Sequence, residues 1–600
     1  MTSAQRRVRI ALPAALAAFA MGGAVLTAAP AQAAGEPRPQ APTLERPTAS
    51  EAELQARVDG AEAVLKRRAA DGRSSTEKGD AESGTGEPSA GSSPSPDSGI
   101  ADPKIIGGVD ATITEAPWMV QLYYYDDRGT ADESDDIGSF CGGTLVSPSK
   151  VLTAAHCVKG LDWNKHGTVI GGTEKLFTSG EGARIGVWRQ WTNPGYAGGT
   201  GSMAGDVAVL TLNGTLPYKT LQPTPAGDTA SYQSGKPGTV YGWGRTSSQN
   251  EDIAPTLRKA TVPVRPDSAC SSYFGAEFVP GKMVCAGNPA SGEDTGTVSP
   301  CNGDSGGPLV VNGRIAGVVS WGVRDCVATG AYAVFAKTSA FTGLINPRVD
   351  DANPTFDDKA DLFARSSTGE AFIYASRGTS LGSRETMGDW TGINLVRQSD
   401  LNRDDAQDYV LRTADGHLYW WGYDSGTQQY EMHPIGPGWG GFRDITLPGD
   451  LTLDGHTDLV AKDSAGTLWM WAGRGNGTFS AKVKIGVGWS SYSVFGKSDF
   501  SGDGKPDLLS RDSSGRLWMY KGTGNRTTPI SGRVQVGSGW NFTAYVTTGD
   551  LTGDGRADFL VRDSAGDLWV YKGTGKAATP FVTSARIKVG TGWKSYSLFG

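Results

Sequence analysis

The sequence predicts an all-β protein with at least two folded domains. Its 600 residues are too many for one hydrophobic core, because a single domain usually holds about 100–200 residues. Glycine accounts for 85 residues and apolar stripes at helical spacing are scarce, so short strands and turns should dominate. All six cysteines lie in one part of the chain, and a repeat of about 50 residues begins after it. We therefore expect a disulfide-bonded domain followed by a repeat array.

The net charge of −7 is mild for a chain of this size. A nucleic-acid partner would require a basic face, so we expect none. The charge carries no information about any other ligand.

Residues 1–33 have the pattern of a secretory signal peptide. Arg6, Arg7 and Arg9 precede a run rich in Ala and Leu, and the small-x-small site at 31–33 follows it. A retained membrane anchor is the alternative, but small residues dilute the apolar run, and no other segment is long and apolar enough to span a bilayer. We expect an extracellular protein that is not held by a membrane after signal removal, in a compartment where disulfides persist.

Residues 34–104 are predicted to be a propeptide or a flexible arm. They are rich in Ala, Pro, Ser, Gly and Glu, with one plausible helix from Ser50 to about Arg68. The run from Gly79 to Ser98 is too poor in apolar residues to bury a core. A generic linker is equally compatible with this composition.

Residues 301–308 (CNGDSGGP) predict a tight turn that carries a serine hydroxyl. A nucleophile needs an exposed oxygen, and neighbours without side chains leave bare N–H groups beside which a substrate carbonyl can approach. A glycine-rich surface loop with an incidental serine is the alternative. Ser305 is therefore a candidate nucleophile that needs a base.

The base should be a histidine, because its pKa lies near neutral pH. His166 lies in a polar run that favours a solvated loop, whereas His156 ends an apolar stretch and adjoins a cysteine. Asp206 opens the strand-like run 207–212, and a carboxylate entering a buried strand should have a partner. The alternatives are that His156 is a core histidine whose hydrogen bonds are satisfied within the protein, and that Asp206 is a turn residue that begins a strand.

Residues 105–346 resemble the trypsin/chymotrypsin-like serine proteases. The resemblance rests on IIGG at 105–108 behind a basic residue, TAAHC at 153–157, DVAVL at 206–210, the 301–308 turn and SWG at 320–322, in the family's order. It implies a chymotrypsin-like double β-barrel. It also implies a serine endopeptidase that acts on protein or peptide substrates and needs no cofactor for catalysis.

The resemblance implies a role for each motif residue. Ser305 would be the nucleophile, His156 the general base and then acid, and Asp206 the group that orients the imidazole. The backbone N–H groups of Gly303 and Ser305 would form the oxyanion hole.

The resemblance further implies activation by proteolysis. Cleavage after Lys104 would free the amine of Ile105, which would turn inward and pair with the carboxylate of Asp304. Because this ion pair cannot exist before the cut, the uncut chain should be an inactive zymogen.

The six cysteines permit 15 pairings by counting alone. A zinc site is disfavoured because no C-x-x-C pair is present. The resemblance implies the pairs Cys141–Cys157, Cys270–Cys285 and Cys301–Cys326.

The substrate pocket departs from that of trypsin. At the family position that forms the pocket base, an aspartate would select Lys or Arg, but Ser299 stands there. The remaining implied pocket residues are Ser320, Trp321, Gly322 and Gly330. We expect a chymotrypsin-like preference for large apolar or aromatic side chains over a broad or small-residue preference. Pro300 could deform the base, a loop charge from Asp294 or Asp325 is conceivable, and trypsin-like specificity remains the alternative.

After about residue 347 the same frame recurs five times, starting at Asn353, Asp400, Asp450, Asp499 and Asp550. Repeats of this length made of short strands and turns predict a β-propeller over 347–600 with five blades. The run 593–600 could close the ring against the first unit. The units resemble FG-GAP/VCBS-type repeats of integrin-like propellers and, by their period, five-bladed lectin propellers.

The frame D-x-[NST]-x-D-G-x-x-D places side-chain oxygens at alternate positions of a loop, which suits calcium. Asx-type turns without metal are the alternative. The candidate ligands are Asp400, Asn402, Asp404, Asp408, Asp450, Asp454, Asp458, Asp499, Asp503, Asp507, Asp550, Asp554 and Asp558.

Tryptophans alternate inside apolar strands, as at residues 468–471 (LWMW), which favours blade packing over sugar platforms. We expect the propeller to bind the substrate, a surface or a partner, with a protein or a carbohydrate as its ligand; a lectin-like role, in which the tryptophans are sugar platforms, is the alternative. Two rival interpretations are a binding protein with a vestigial protease domain and a propeller that is only a stabilising cap.

Overall fold

The computed structural model describes residues 38–39, 49–70, 105–198, 202–350, 352–355, 357, 359–404, 406–424, 427 and 429–600. The signal peptide predicted at 1–33, most of the predicted propeptide and Lys104 lie outside the described residues. Within the described part of the chain, none of the helices combines the length and the apolar character needed to cross a membrane.

Two elements precede the barrels, namely β1 (Arg38–Pro39) and α1 (Glu51–Ala70). The helix expected from Ser50 to about Arg68 is therefore present. Ser50 begins it, because its Oγ accepts the backbone N–H of Glu53 at 3.2 Å.

The first barrel is a closed antiparallel sheet with the strand order β3-β4-β5-β8-β7-β6. Buried aliphatic side chains such as Val120, Leu122, Val151 and Val209 fill it. Its elements, with the short strand before it, are β2 (Val109–Asp110), β3 (Met119–Asp126), β4 (Ile137–Ser147), β5 (Lys150–Thr153), α2 (Ala155–Val158), α3 (Trp163–His166), β6 (Gly167–Gly171), β7 (Ala183–Thr192) and β8 (Ala208–Leu212).

The second barrel follows the order β11-β14-β13-β12-β9-β10 and is closed by the pairing of β10 with β11, while β2 adds to β10 from outside. Its elements and the helices after it are β9 (Pro237–Gly242), β10 (Arg258–Arg265), α4 (Asp267–Phe274), β11 (Met283–Ala286), β12 (Pro308–Val311), β13 (Arg314–Trp321), β14 (Ala333–Lys337), α5 (Thr342–Ile345) and α6 (Pro347–Asp350). The predicted double β-barrel is confirmed.

The rest of the chain forms five antiparallel sheets arranged as the blades of a propeller. The first blade contains β15 (Leu362–Ser366), β16 (Glu370–Ser376) and β17 (Leu381–Asp389); the second β18 (Ile393–Ser399), β19 (Asp408–Thr413), β20 (Leu418–Asp424) and β21 (Gln429–Gly436); the third β22 (Arg443–Gly449), β23 (Asp458–Lys462), β24 (Leu468–Trp471) and β25 (Val483–Gly486); the fourth β26 (Tyr492–Phe495), β27 (Leu508–Asp512), β28 (Leu517–Gly522) and β29 (Ile530–Gly537); the fifth β30 (Ala544–Val546), β31 (Phe559–Arg562), β32 (Leu568–Tyr571) and β33 (Ile587–Gly590); the last strand is β34 (Tyr596–Phe599).

Strand β34 closes the ring, because it pairs with β15 and completes the first blade. The Nε2 atom of Gln398 donates to the carbonyl of Gly600 at 2.9 Å and holds the chain end against the second blade. On the outer edge of the first blade, β1 pairs with β17, with Arg38 opposite Asp389. The expected five-bladed propeller is confirmed, and its closure involves both ends of the repeat array.

The loops between the first and second strands of the blades face the barrels. Ser149 Oγ donates to the carbonyl of Arg403 at 2.7 Å, and Asn346 Nδ2 donates to that of Gly504 at 3.3 Å. Arg348 Nη2 lies 3.9 Å from Asp550 Oδ2. A cavity of about 480 Å³ lies between the two parts, and none of the candidate catalytic residues lines it.

Candidate active site

His156 and Asp206 are brought together between α2 and the start of β8. The Nδ1 atom of His156 lies 2.7 Å from Asp206 Oδ2, and the backbone N–H of His156 donates to Asp206 Oδ1 at 2.8 Å. The hydroxyl of Ser320 donates to the same Oδ2 at 2.6 Å. Asp206 is fully buried, so these contacts replace the water that its carboxylate would otherwise bind. With Nδ1–H directed to the carboxylate, Nε2 is left as the acceptor.

The turn with Ser305 is packed against strand β4 of the first barrel. The carbonyl of Ser305 accepts the N–H of Gly142 at 2.8 Å, and the N–H of Gly306 donates to Val319 at 3.0 Å. Gly306 has φ of +81°, and a Cβ there would overlap Thr153 Oγ1 and the carbonyl of Gly142. The turn therefore needs glycine both for its backbone conformation and for its close approach to the first barrel.

Two N–H groups beside the serine are available for a ligand. The backbone N–H groups of Gly303 and Ser305 donate to no acceptor among the described residues, although both residues are buried. Buried N–H groups without a partner are rare in proteins. Gly303 has φ of +94°, which bends the chain so that the side chain of Asp304 is buried in the protein.

Comparisons with known proteins identify this arrangement. Residues 105–345 match the trypsin family model. Trypsin of Saccharopolyspora erythraea is 37% identical over 246 residues, which are 41% of this chain and 98% of that protein. The chain belongs to the trypsin family. It is a serine endopeptidase.

Further similarities cover the protease domain and part of the propeller. A trypsin-like protease of Streptomyces glaucescens is 33% identical over 40% of this chain and 81% of its own length. The solved structure of neuropsin, a serine protease of mouse brain, is 28% identical over 40% of this chain and 98% of its own, with a TM-score of 0.33. Residues 499–561 match the FG-GAP-like repeat, in agreement with the resemblance of the second half.

The disulfides of the protease are Cys141–Cys157, Cys270–Cys285 and Cys301–Cys326, the pairs that the resemblance implies. The first joins the strand that contacts the Ser305 turn to the helix that carries His156. The third joins the start of that turn to the loop after β13.

Asp304 is enclosed by backbone. It is fully buried, and its carboxylate accepts the N–H of Gly244 at 2.7 Å and that of Cys301 at 2.9 Å. No cation forms an ion pair with it among the described residues. Burial raises the pKa of Asp304 to about 7, and the two backbone bonds only partly oppose this. Ile105 is also fully buried, in the core of the second barrel.

The segment after Ile105 runs along the predicted base of the pocket. Ser299 donates its backbone N–H to the carbonyl of Ile106 at 3.1 Å, and its hydroxyl bonds the carbonyl of Pro300 at 3.0 Å. The carboxylate of Asp294 accepts the hydroxyl of Ser247 at 2.7 Å. Burial is the largest single influence on the pKa of Asp294 and raises it, but the hydrogen bonds from Ser247 and Ser248 and the charge of Arg245 together outweigh burial and lower the pKa.

Three predicted pocket residues surround the end of β13. Trp321 is half-buried and packs edge-on against Phe274 with ring centres 4.8 Å apart, whereas Gly322 is exposed and Gly330 half-buried. The carboxylate of Asp325 accepts the N–H of Ala328 at 3.0 Å within its own loop. Ser320, which is also predicted to line the pocket, donates its hydroxyl to the carboxylate of Asp206, a contact 114 residues apart that no local sequence signal reveals.

In the propeller, the last acid of each repeat frame is buried, and in the last three blades it holds its loop to the end of the third strand. The Oδ1 atom of Asp458 accepts the N–H of Gly473 at 3.0 Å, and Oδ2 accepts that of Thr452 at 2.9 Å. The equivalent bonds elsewhere are Gly522 to Asp507 (2.9 Å), Ser501 to Asp507 (2.7 Å), Gly573 to Asp558 (2.8 Å), Thr552 to Asp558 (2.7 Å) and Leu401 to Asp408 (2.7 Å).

The first acid of each frame caps the same loop. Asp450 accepts the N–H groups of Asp454 at 3.0 Å and Gly455 at 2.6 Å. Equivalent bonds are Asp404 to Asp400 (3.1 Å), Gly502 to Asp499 (2.6 Å), Gly504 to Asp499 (2.5 Å), Asp554 to Asp550 (3.0 Å) and Gly555 to Asp550 (2.6 Å). The amide of Asn402 donates to Asp404 at 3.1 Å.

Burial and neighbouring carboxylates raise the pKa values of these acids above that of an exposed aspartate. Burial raises the pKa of Asp450 and Asp499 to about 6 and that of Asp458 and Asp558 to about 8. It also raises the pKa values of Asp408, Asp507 and Asp550.

One loop brings three acids close enough to share an ion. Carboxylate oxygens of Asp499, Asp503 and Asp507 lie within 4.8 Å of one another, which no other carboxylate trio in the described residues achieves. Lys521 lies 2.9 Å from Asp503, and Lys572 lies 3.1 Å from Asp554 in the next blade. A lysine ammonium already partly neutralises the middle acid of the frame in both loops.

One further buried acid plays the part of the last acid of a repeat frame, although the sequence pattern did not single it out. Asp361 accepts the N–H of Ser376 at 2.9 Å and that of Thr355 at 3.0 Å, as the last acids of the other frames do. Burial raises the pKa of Asp361 to about 7. Its position eight residues after Asn353 could have revealed it, since the other frames have the same spacing.

Three half-buried tryptophans, one on the third strand of each of the last three blades, have their indole N–H groups occupied. Trp518 donates its indole N–H to Asp512 at 3.1 Å, and the guanidinium of Arg533 lies 4.1 Å from its ring centre. The same contacts recur as Trp469 with Asp463 (2.8 Å) and Lys482 (4.4 Å), and as Trp569 with Asp563 (2.9 Å) and Arg586 (4.0 Å).

Proposed function

We propose that this protease is a secreted enzyme, made as a zymogen, that hydrolyses peptide bonds through an acyl-enzyme on Ser305. The observation that carries the mechanism is the fully buried carboxylate of Asp206, which lies 2.7 Å from Nδ1 of His156. The signal-like sequence at 1–33 and the three disulfides support secretion.

In the first half of the reaction, Nε2 of His156 takes the proton of the Ser305 hydroxyl as its oxygen attacks the substrate carbonyl. Asp206 keeps the imidazole in the required tautomer and stabilises the imidazolium. The N–H groups of Gly303 and Ser305 bind the oxyanion of the tetrahedral intermediate. His156 then protonates the leaving amine, and water hydrolyses the acyl-enzyme by the same steps.

A serine-reactive phosphonate tests this assignment and the rival of a vestigial protease. The activated protein should be labelled once, on Ser305, with loss of peptidase activity. Ser305→Ala should resist labelling and lower kcat/KM by about 10⁴–10⁶-fold, with an unchanged circular dichroism spectrum. A folded, activated protein that neither hydrolyses peptides nor reacts would establish the vestigial interpretation.

Activation is proposed to occur by cleavage after Lys104. The pKa of the buried Asp304 carboxylate is raised to about 7, and no cation among the described residues pairs with it; the new amine of Ile105 would supply one. Lys104→Gln protein should therefore accumulate uncut and inactive, while wild-type protein gains activity as the new N-terminus at Ile105 is detected. Full activity in uncut Lys104→Gln protein would refute this mechanism.

The proposed specificity is for large apolar or aromatic side chains at the residue before the cut. Ser299 brings no charge to the pocket base. The carboxylate of Asp294 is engaged by Ser247 and Ser248 of a neighbouring loop, and that of Asp325 by N–H groups of its own loop. Lys/Arg specificity is the second candidate, because the similar proteins named above are called trypsin or trypsin-like. Cleavage-site profiling in a protein mixture distinguishes the two, and a strong preference for Arg would contradict our choice.

The propeller is proposed to bind substrate, a surface or a partner through the face opposite its aspartate loops. Those loops pack against the barrels, which leaves the opposite face for a protein or carbohydrate ligand. Protein that ends at residue 346, activated by cleavage after Lys104, should then hydrolyse short peptides normally but degrade large proteins about tenfold more slowly. Equal rates on both substrates would instead favour a stabilising cap.

Calcium is proposed for the loop 499–507, where the acids fit an oxygen-ligand site. The ion would neutralise carboxylates that otherwise lie close together without enough countercharge. Chelation with EGTA should lower the melting temperature of the wild-type protein by a few degrees, and added calcium should restore it. Asp503→Asn should remove this response, whereas a response equal to that of the wild type would place the ion elsewhere.

A further inference from the structure

Helix α1, from the segment before the proposed cleavage site, packs on the first barrel through an apolar stripe. Leu54, Val58, Ala61 and Leu65 recur at the spacing of one helix face, and each is buried. Val58 and Ala61 are fully buried and belong to the same core as Phe140 and the other barrel residues that face the helix. A helix with this stripe would expose it to water if it left the barrel.

The helix and barrel approach each other more closely than ordinary side chains allow. A Cβ placed at Gly60 would lie 2.5 Å from the ring of Tyr125, and one at Gly138 would lie 2.6 Å from Cβ of Val64. Glycine on each side thus makes room for the partner's side chain. Such mutual complementarity is typical of a permanent interface.

Polar groups of both partners are also satisfied across this interface. Arg68 Nη1 donates to the carbonyl of Gly138 at 2.7 Å, and Arg57 Nη1 donates to that of Gly167 at 3.0 Å. In return, Thr168 Oγ1 donates to the carbonyl of Leu54 at 3.2 Å. Removing the helix would break all three bonds at once.

Ion pairs hold both ends of the helix. Arg67 lies 3.0 Å from Glu133 and 3.3 Å from Asp136, in the loop between β3 and β4. At the other end, Arg184 lies 3.3 Å from Glu51. Farther upstream, β1 pairs with the first blade, so the same segment contacts both domains of the protease.

No disulfide joins this segment to the rest of the chain, because all six cysteines lie between 141 and 326. Hydrolysis of the bond after Lys104 would therefore leave the segment held by non-covalent contacts, which include those described above. We infer that α1 stays bound after this cut, so that the active enzyme is a non-covalent complex of two chains with residues 51–70 as a structural subunit. This inference rests on the proposed activation by cleavage after Lys104.

The test uses full-length Ser305→Ala protein in which residues 100–103 are replaced by aspartates, so that enteropeptidase cuts after Lys104. After cutting, size exclusion at about 1 µM and intact mass spectrometry should find the peptide with residues 51–70 in the same peak as the catalytic chain. Urea should separate them. A peptide that elutes alone while the catalytic chain remains folded would overturn the inference.

Matched variants test which face holds the helix. Val58→Asp places a charge in the interface, whereas Ala63→Asp places the same charge on the exposed face. Val58→Asp should lower the retained fraction by at least about tenfold, and Ala63→Asp should leave it unchanged. Equal retention in both variants would show that the apolar stripe is not what binds. If Val58→Asp protein does not fold, retention in the parent protein still decides the inference.

The proposed activation is tested separately, with Ser305 intact. Peptidase activity that appears on enteropeptidase cleavage reports activation, whether or not the peptide stays bound. Retention is measured in the inert protein, whether or not cleavage activates. Either proposal can therefore fail without the other.

Discussion

Different structural features stabilise the protease domain and the propeller. The protease domain contains three disulfides, each joining a unique pair of segments. The propeller has no cysteine and relies on ring closure by β34 and on a buried aspartate that forms the same bonds in blade after blade.

The same contrast holds for buried carboxylates. In the protease domain, Asp206 and Asp304 each have a set of partners that occurs once, and both acids belong to the candidate machinery. In the propeller, Asp458 and its equivalents bond backbone N–H groups of their own blade. A substitution in the first half should therefore change activity, whereas one in the second should change stability.

Deletion of residues 593–600 should have the largest effect on the propeller. The first blade would lose β34 and leave β15 with an unpaired edge, so the ring would open. Limited proteolysis should then degrade residues 347–592 at least about tenfold faster than in the full chain while sparing 105–346. A protein lacking only Gly600 is the control, and equal resistance of the deletion and the control would mean that closure by β34 is dispensable.

Two acids of one loop should differ in their contribution to stability. Asp458→Ala leaves the N–H groups of Gly473 and Thr452 without their acceptor in a buried site, so it should cost about 2–4 kcal/mol in the free energy of unfolding. Asp454→Ala removes an exposed carboxylate and should cost less than about 1 kcal/mol. Urea denaturation followed by tryptophan fluorescence measures both. Equal costs would contradict the assignment of Asp458 as the residue that holds the loop.

Asp304→Asn should change the stability of the uncut protein by an amount that depends on pH. Burial raises the pKa of Asp304 to about 7 in the uncut chain, so its stabilising contribution is complete below the unfolded pKa near 4 and is lost as pH rises through 7. Asparagine cannot ionise, so uncut Asp304→Asn protein should gain about 1–3 kcal/mol relative to the parent between pH 5 and pH 8.

Urea denaturation of both proteins in the Ser305→Ala background measures this difference. A difference that does not vary with pH would show that Asp304 does not titrate in this range. In the cleaved enzyme with Ser305 intact, Asp304→Asn should instead be harmful and lower peptidase activity, because the amine of Ile105 would lose its carboxylate partner.

Much of the architecture follows from local sequence. Residues 301–308, His156 and Asp206 combine residue types that nucleophilic catalysis requires, and the five spaced aspartate frames predict five blades. The helix near residues 51–70 could also be recognised from its composition. Counting alone left 15 disulfide pairings open, and only the family resemblance singled out the three that the structure contains.

The tertiary structure decided the contacts between distant segments. The hydroxyl of Ser320 bonds Asp206, the aspartate loops face the barrels, and α1 packs on the first barrel. These contacts depend on how two barrels and a ring close, and each joins residues far apart in the chain. Local patterns specify a strand, a turn or a reactive group, but the partner of a buried polar group is set by the packing of the whole molecule.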